Sequence, residues 1–139
     1  MCAQNYADIK MQWTRFALAK DWLEECKPCV GPILLVDVRD TIFQFNPFGP
    51  DSPQIRGLHL FQEEHQSRTT HHWMTKWQIG EYKAVTLNEP SLTAGAVAGN
   101  RSAILKYLEM MYKEMKEWMN DPKCHFEISG DDRTITYWL

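Results

Sequence analysis

A long amphipathic helix in the last third of the chain constrains the fold more than any other feature. Within residues 102–119, apolar side chains recur at the three- and four-residue spacing that places them on one helical face. This apolar stripe is Ile104, Leu108, Met111, Met115 and Trp118, with Tyr107 beside it. Charged side chains occupy most of the opposite face: Lys106, Glu109, Lys113, Lys116 and Glu117. A helix with one apolar face must bury that face against another layer of the protein.

The segments on either side of this helix predict how it begins and which layer it packs against. Residues 93–100 are rich in glycine and alanine, which predicts a loop, and either Asn100 or Ser102 is suited to cap the helix that follows. An Asp-Pro pair predicts the end of the helix. Residues 124–139 alternate apolar and polar side chains around Ser-Gly-Asp-Asp, which predicts two strands joined by a turn. We therefore expect the helix to pack on an antiparallel sheet.

The rest of the chain predicts a second helix and further strands. An apolar stripe over residues 6–26 predicts an N-terminal helix whose inward side chains are Ile9, Trp13, Phe16, Ala19 and Leu23. β-Branched and aromatic residues predict one long or two short strands over 33–45, and further strands over 58–61, 69–77 and 81–87. We expect one α+β domain over residues 1–139, with an antiparallel sheet packed against the long helix of the C-terminal half and a helix at the N-terminus.

Composition and charge narrow the classes of function. The 139 residues are 44% hydrophobic and 24% charged, which is typical of a globular protein. The net charge is −3 and the basic residues are scattered, so composition does not support binding to nucleic acid or to a membrane surface. The sequence contains neither a segment typical of a secretory signal nor an apolar run long enough to span a bilayer. We expect a soluble, intracellular, cytoplasmic protein that needs no cofactor.

Two of the four cysteines have a spacing with chemical meaning. Cys26 and Cys29 form a C-x-x-C sequence, which redox dithiols and zinc ligands share. Here the pair follows a predicted helix, so it lacks the helix N-terminus that lowers the thiol pKa in redox dithiols. A zinc site would need a second pair of ligands, and the adjacent Cys124 and His125 would point to opposite faces of a strand. We therefore expect Cys26 and Cys29 to be reduced and free of metal, as in most intracellular proteins.

Four aspartates form an acidic pattern that has chemical meaning. Asp37 and Asp40 lie at or beyond the end of an apolar stretch, and Asp131 and Asp132 lie in the predicted C-terminal turn. The order of strand carboxylate, glycine-rich loop, helix and Gly-Asp-Asp hairpin is similar to the palm of nucleic-acid polymerases. That resemblance implies carboxylates that hold two divalent metals for phosphoryl or nucleotidyl transfer. Residues 37–42 also resemble the motif of haloacid-dehalogenase-type phosphatases. The alternative is that glycine and aspartate simply form the hairpin turn.

The aromatic side chains are candidates for a binding surface. Six tryptophans, six phenylalanines and five tyrosines are more than one small interface between a sheet and a helix readily buries. Trp73 and Trp77 share one face of the predicted strand 69–77, where they form either core or a platform for stacking. Phe48 lies in residues 46–53, where three prolines and a glycine predict a loop. The predicted interface residues are therefore Phe48, Trp73 and Trp77.

These patterns favour a binding function over an enzymatic one, since no complete catalytic set is present in the sequence. We expect a non-catalytic interaction protein, such as an inhibitor, an immunity-type partner, an adaptor or a viral or phage accessory factor, whose aromatic side chains contact another protein. The alternative is a small metal-dependent domain for phosphoryl or nucleotidyl transfer or for nucleotide binding. In that alternative the metal or nucleotide would be held by Asp37, Asp40, Asp131 and Asp132.

Overall fold

Two helices and three strands make up the described part of the chain. The computed structural model describes residues 11–39, 41–50, 52, 54–62 and 92–120. In chain order the elements are α1 (Met11–Glu25), β1 (Ile33–Val36), β2 (Leu58–Gln62), β3 (Leu92–Gly99) and α2 (Arg101–Met119). The strands form an antiparallel sheet of order β1-β3-β2, and α2 packs against β3 and β2. The expected α+β fold, with two helices and an antiparallel sheet, is confirmed.

Helix α2 buries the predicted stripe from Ile104 to Met115, and the side chain of Trp118 lies outside the part that the structure describes. Its inward side chains are each no more than 2% exposed: Ile104, Tyr107, Leu108, Met111 and Met115. The cap of the helix is Asn100, whose side-chain Oδ1 accepts the Ala103 N–H at 2.9 Å and whose carbonyl accepts the Ile104 N–H at 3.0 Å. The Ser102 hydroxyl donates to the same Oδ1 at 2.8 Å, so Ser102 supports the cap rather than forming it.

Helix α1 supplies the other half of the core. Its buried side chains pack against the stripe of α2; they are Trp13, Phe16, Ala17 and Leu23. The rings of Phe16 and Tyr107 meet edge to face with their centroids 6.2 Å apart. The Arg101 guanidinium donates to the Leu23 carbonyl at 2.6 Å, which joins the C-terminal end of α1 to the first turn of α2. The α2 stripe was predicted to face a sheet, but it also faces α1, because the apolar face of α1 must be buried as well.

The glycine- and alanine-rich segment is a strand, so its prediction as a loop is wrong. It forms most of β3, the central strand, which pairs with both β1 and β2. Close contacts require small residues there: a Cβ on Gly99 would lie 2.8 Å from the Gly57 carbonyl oxygen and 3.1 Å from Ile104 Cγ1. A Cβ on Gly95 would lie 2.9 Å from the Asp37 carboxylate. The small side chains of this segment therefore reflect the close approach of neighbouring elements rather than a turn.

The strand predicted over residues 33–45 is present only in its first part. β1 ends at Val36, after which the Asp37 N–H donates to the Gly95 carbonyl at 2.9 Å. The chain then leaves the sheet, and residues 41–45 contain neither helix nor strand. A β-branched and aromatic composition favours a strand only where a neighbouring strand offers its edge. The short strand predicted over residues 58–61 is confirmed as β2.

Cys26 and Cys29 are joined by a disulfide, so the prediction that they are reduced is wrong. The turn that follows α1 brings their Cα atoms to 5.4 Å, which is within the range that a disulfide spans. The Cys29 N–H donates to the Cys26 carbonyl at 3.2 Å across this turn. The spacing of the two residues predicts the turn, but the bond follows from the distance that the turn creates.

Several expectations concern residues outside the described ranges. They are the strands over 69–77 and 81–87, the C-terminal hairpin, the first turns of the N-terminal helix before Met11, and the two remaining cysteines, Cys2 and Cys124. Of the helices that the structure describes, neither has the length and apolar character needed to cross a membrane.

Candidate binding groove

Asn46 organises the loop between β1 and β2. Its side-chain Oδ1 accepts the Phe48 N–H at 2.9 Å, which is the hydrogen bond of an Asx turn. Its backbone carbonyl accepts both the Gly49 N–H at 3.1 Å and the Ser52 hydroxyl at 3.0 Å. The Ser52 N–H in turn donates to the Gly49 carbonyl at 3.0 Å. The loop is therefore held by its own hydrogen bonds, and Phe48 has a defined position within it.

Phe48 lies on one wall of a groove of about 480 Å³. Residues 48–50 and 52 form this wall, and residues 30–32, which follow the disulfide, form another wall. Residues 54–56 and the helix cap Asn100 complete the lining. Three separate segments of the chain, 30–32, 48–56 and the start of α2, therefore contribute described residues to this groove.

The described residues that line the groove expose polar and apolar surface in similar amounts, and one of them carries a formal charge. Phe48, Pro32, Pro50 and Ile55 present carbon surface, and Phe48 is 40% exposed. Among the lining residues the formal charge is that of Arg56, whose guanidinium donates to Gln54 Oε1 at 3.2 Å. The N-terminal end of α2, which carries the positive end of the helix dipole, lies at the same groove. The chemistry of the site therefore fits an apolar group accompanied by a negative charge.

Exposed apolar side chains continue from the groove along the preceding segment. Large side chains between β1 and the groove are more than half exposed; they are Val38, Ile42, Phe43 and Phe45. The described residues of this segment form neither helix nor strand, so no regular face carries these side chains into the core. A second exposed stripe lies on the outer face of α1, where Met11, Leu18 and Trp22 are spaced by seven and four residues.

Asp37 is the one member of the predicted acidic set that the structure describes. Its carboxylate forms an ion pair with the Arg15 guanidinium and lies against the backbone of Gly95, at the end of β1. The ion pair offsets the negative charge that a divalent metal would need at this carboxylate. Asp40, Asp131 and Asp132 lie outside the described residues. Among the residues that are described, no group of three or more carboxylates, histidines and cysteines is placed to hold a metal ion.

Of the predicted interface residues, Phe48 lies in the groove, whereas Trp73 and Trp77 lie outside the described residues. The sequence did not indicate Ile55, Arg56 or residues 30–32, because only the folded chain brings them next to Phe48. The role of Asn46 could have been predicted from the sequence, since asparagine before a proline-containing loop is typical of an Asx turn.

In comparisons with protein-family models, curated proteins and solved structures, nothing matches this chain. Its function must therefore be inferred from the chemistry and geometry of its own residues.

Proposed function

We propose that this chain is a non-catalytic binding protein, which holds a short segment of a protein partner in the groove beside Phe48. The observation that carries the proposal is the exposed Phe48 ring, in a loop whose backbone is already ordered by Asn46. Exposed aromatic rings are frequent anchors of protein interfaces, since they bury a large apolar area at a small cost in side-chain entropy. An ordered loop also avoids the entropy that a mobile loop would lose on binding.

The neighbouring surface supports a protein as the partner. Val38, Ile42 and Phe43 are exposed in the segment that precedes this loop, so that a folded partner has further apolar side chains to contact outside the groove. Large exposed apolar patches on a protein surface are typical of sites of interaction. The roles of inhibitor, immunity-type partner, adaptor or viral accessory factor remain alternatives within this proposal.

The charge of the groove supports a segment of defined chemistry. Arg56 lies in the lining together with the N-terminal end of α2, and both favour a negative group on the partner. Phe48, Pro32 and Ile55 favour an apolar side chain next to that group. The proposed ligand is therefore a peptide segment that combines a large apolar residue with aspartate or glutamate.

Selection of binding peptides tests the proposal without knowledge of the natural partner. Short random peptides displayed on phage are selected against the wild-type protein, and each enriched peptide is then measured against variants by calorimetry. We expect Phe48→Ala to weaken binding by about tenfold or more, because truncation of an interface anchor costs at least about 1.4 kcal/mol. Replacing the acidic residue of the peptide, or Arg56→Gln in the protein, should weaken binding by a smaller factor and reduce its salt dependence.

Phe45→Ala is the matched control. Phe45 lies in the same segment and is 74% exposed, but it does not line the groove. Peptides that bind in the groove should therefore bind Phe45→Ala as they bind the wild type. Enriched peptides that bind Phe48→Ala with unchanged affinity would contradict the proposal. If Phe48→Ala unfolds, Phe48 is a core residue and the assigned site is wrong.

An intracellular, cytoplasmic location is also a proposal. Reduced cysteines would have supported it, and the Cys26–Cys29 disulfide removes that support. Alkylation of free thiols in intact expressing cells, followed by mass analysis of the peptide that contains both cysteines, tests the point. A dithiol in the cell supports the cytoplasm, where thiols are kept reduced, and a fully oxidised pair indicates an oxidising compartment.

A further inference from the structure

The disulfide closes a short turn at the end of α1. The Cys26 N–H still donates to the Trp22 carbonyl at 3.0 Å, as in the helix, and the Val30 N–H donates to the Pro28 carbonyl at 2.9 Å. Only Lys27 and Pro28 lie between the two cysteines, and both are exposed. The bond therefore constrains the few residues where the chain leaves the helix and turns toward the groove.

A bond across so few residues does little to hold the fold together. The stabilisation that a disulfide gives by restricting the unfolded chain grows with the length of the loop that it closes. The contact between α1 and α2 has its own supports, namely the buried core and the hydrogen bond from Arg101 to Leu23. Opening the disulfide should thus leave both helices packed and affect only the segment after α1.

That segment is part of the groove. Residues 30–32 follow Cys29 directly and form a wall of the groove that Phe48 also lines. Cys29 packs against the hydrophobic core, so the disulfide holds the beginning of this wall against the body of the protein. The same bond that shapes the turn therefore also sets the position of one wall.

We propose that Cys26 and Cys29 form a thiol–disulfide exchange site, whose reduction by a dithiol releases the wall formed by residues 30–32 and weakens binding in the groove. The effect on binding rests on the proposed function, whereas the reduction and the release of the wall do not. Dithiols that take part in exchange share the C-x-x-C spacing. The two residues between the cysteines, Lys27 and Pro28, are both exposed, so a reductant can approach the turn.

The exchange proceeds in two balanced steps. A thiolate of the reducing dithiol attacks Cys26 Sγ, which forms a mixed disulfide, and Cys29 leaves as a thiolate that takes up a proton. The second thiol of the reductant then reacts as its thiolate. It attacks the reductant's other sulfur, which is bonded to Cys26 in the mixed disulfide, and Cys26 leaves as a thiolate that is protonated. The protein gains two thiols and the reductant is oxidised to a disulfide.

Hydrogen exchange with and without dithiothreitol tests the inference on the whole chain. Alkylation and mass analysis of the peptide containing residues 26–29 confirm the redox state in each sample. On reduction we expect amide exchange at Val30 and Gly31 to become faster by about tenfold, while exchange along the buried part of α2 is unchanged. The double variant C26S/C29S should exchange like the reduced protein and should not respond to dithiothreitol.

Two results would overturn the inference. One is a disulfide that native protein retains in dithiothreitol, and the other is reduction without any change in exchange at residues 30–31. Peptides selected for the groove provide a separate measurement, in which the reduced protein should bind about tenfold more weakly. Equal affinity in both redox states, with dependence on Phe48 retained, leaves the proposed function in place and rejects the switch. If no groove-binding peptide exists, the exchange measurement still decides whether the wall is released.

Discussion

The core between α1 and α2 and the segment between β1 and β2 contain similar side chains in opposite environments. In the core, Trp13, Leu23 and Leu108 are at most 1% exposed. In the segment, Ile42 and Phe45 are 89% and 74% exposed. The core residues recur with the helical period and so share one face, whereas the described residues of the segment form neither helix nor strand and so present no regular face for their apolar groups. Hydrophobicity alone therefore does not place a residue in the core of this protein.

The comparison predicts that the two regions divide stability and binding between them. Truncation in the core should destabilise the protein, whereas truncation of Phe48 in the segment should change binding without changing stability. The expected effects below run from the largest to the smallest.

Leu108→Ala should show the largest effect. Leu108 is completely buried between the helices, and removal of such a side chain leaves a cavity that the surrounding core fills only in part. We expect the free energy of unfolding to fall by about 2–5 kcal/mol in urea melts. A loss below about 0.5 kcal/mol, as is usual at the surface, would show that α2 does not carry the core.

Gly99→Ala should show the next largest effect. The new Cβ would lie 2.8 Å from the backbone oxygen of Gly57, so the chain just before β2 would have to move away from the end of β3. We expect a loss of about 1–3 kcal/mol, as for other overpacked sites, measured in the same melts. Gly31→Ala is the control, since nothing lies within 4 Å of the added Cβ. Equal stability of the two variants would mean that β3, α2 and Gly57 are less closely packed than described.

Glu114→Gln should have a small effect on stability that depends on pH. It tests whether Glu114 lies at the border between the buried and the exposed side of α2. Partial burial raises the pKa of the Glu114 carboxyl above its ordinary value, and the Glu117 carboxylate raises it further, with Lys113 opposing. The folded protein thus binds this proton more tightly than the unfolded chain does, and stability is lost as the pH rises through this range. The variant should therefore have a slightly higher Tm than the wild type at pH 7, and the difference should vanish near pH 3, where both carry a neutral side chain. A Tm difference that is the same at both pH values would contradict this.

Phe48→Ala and Phe45→Ala should show the smallest effects on stability. Both side chains are exposed, at 40% and 74%, and neither belongs to the core cluster. We expect each variant to remain within about 0.5 kcal/mol of the wild type in urea melts. A clear loss of stability for Phe48→Ala alone would mean that its ring packs within the loop. Phe48 would then belong with the residues that stabilise the fold rather than with those that are free to bind.

The sequence by itself determined both helices and the class of the fold. The period of Ile104, Leu108, Met111 and Met115 is a local property, because a helix places residues three and four apart on one face in any protein. The loop around Phe48 was predictable for a similar reason, since prolines and glycine restrict the backbone where they stand.

Only the tertiary structure decided which elements meet. Residues 93–99 look like a loop in the sequence, yet they form the central strand, since neighbours distant in the chain leave room only for small side chains there. The groove likewise combines three segments, and the Cys26–Cys29 bond depends on the distance that one turn creates. Local periodicity reports the conformation of a segment, but pairing, close approach and covalent bonding depend on positions that only the folded chain specifies.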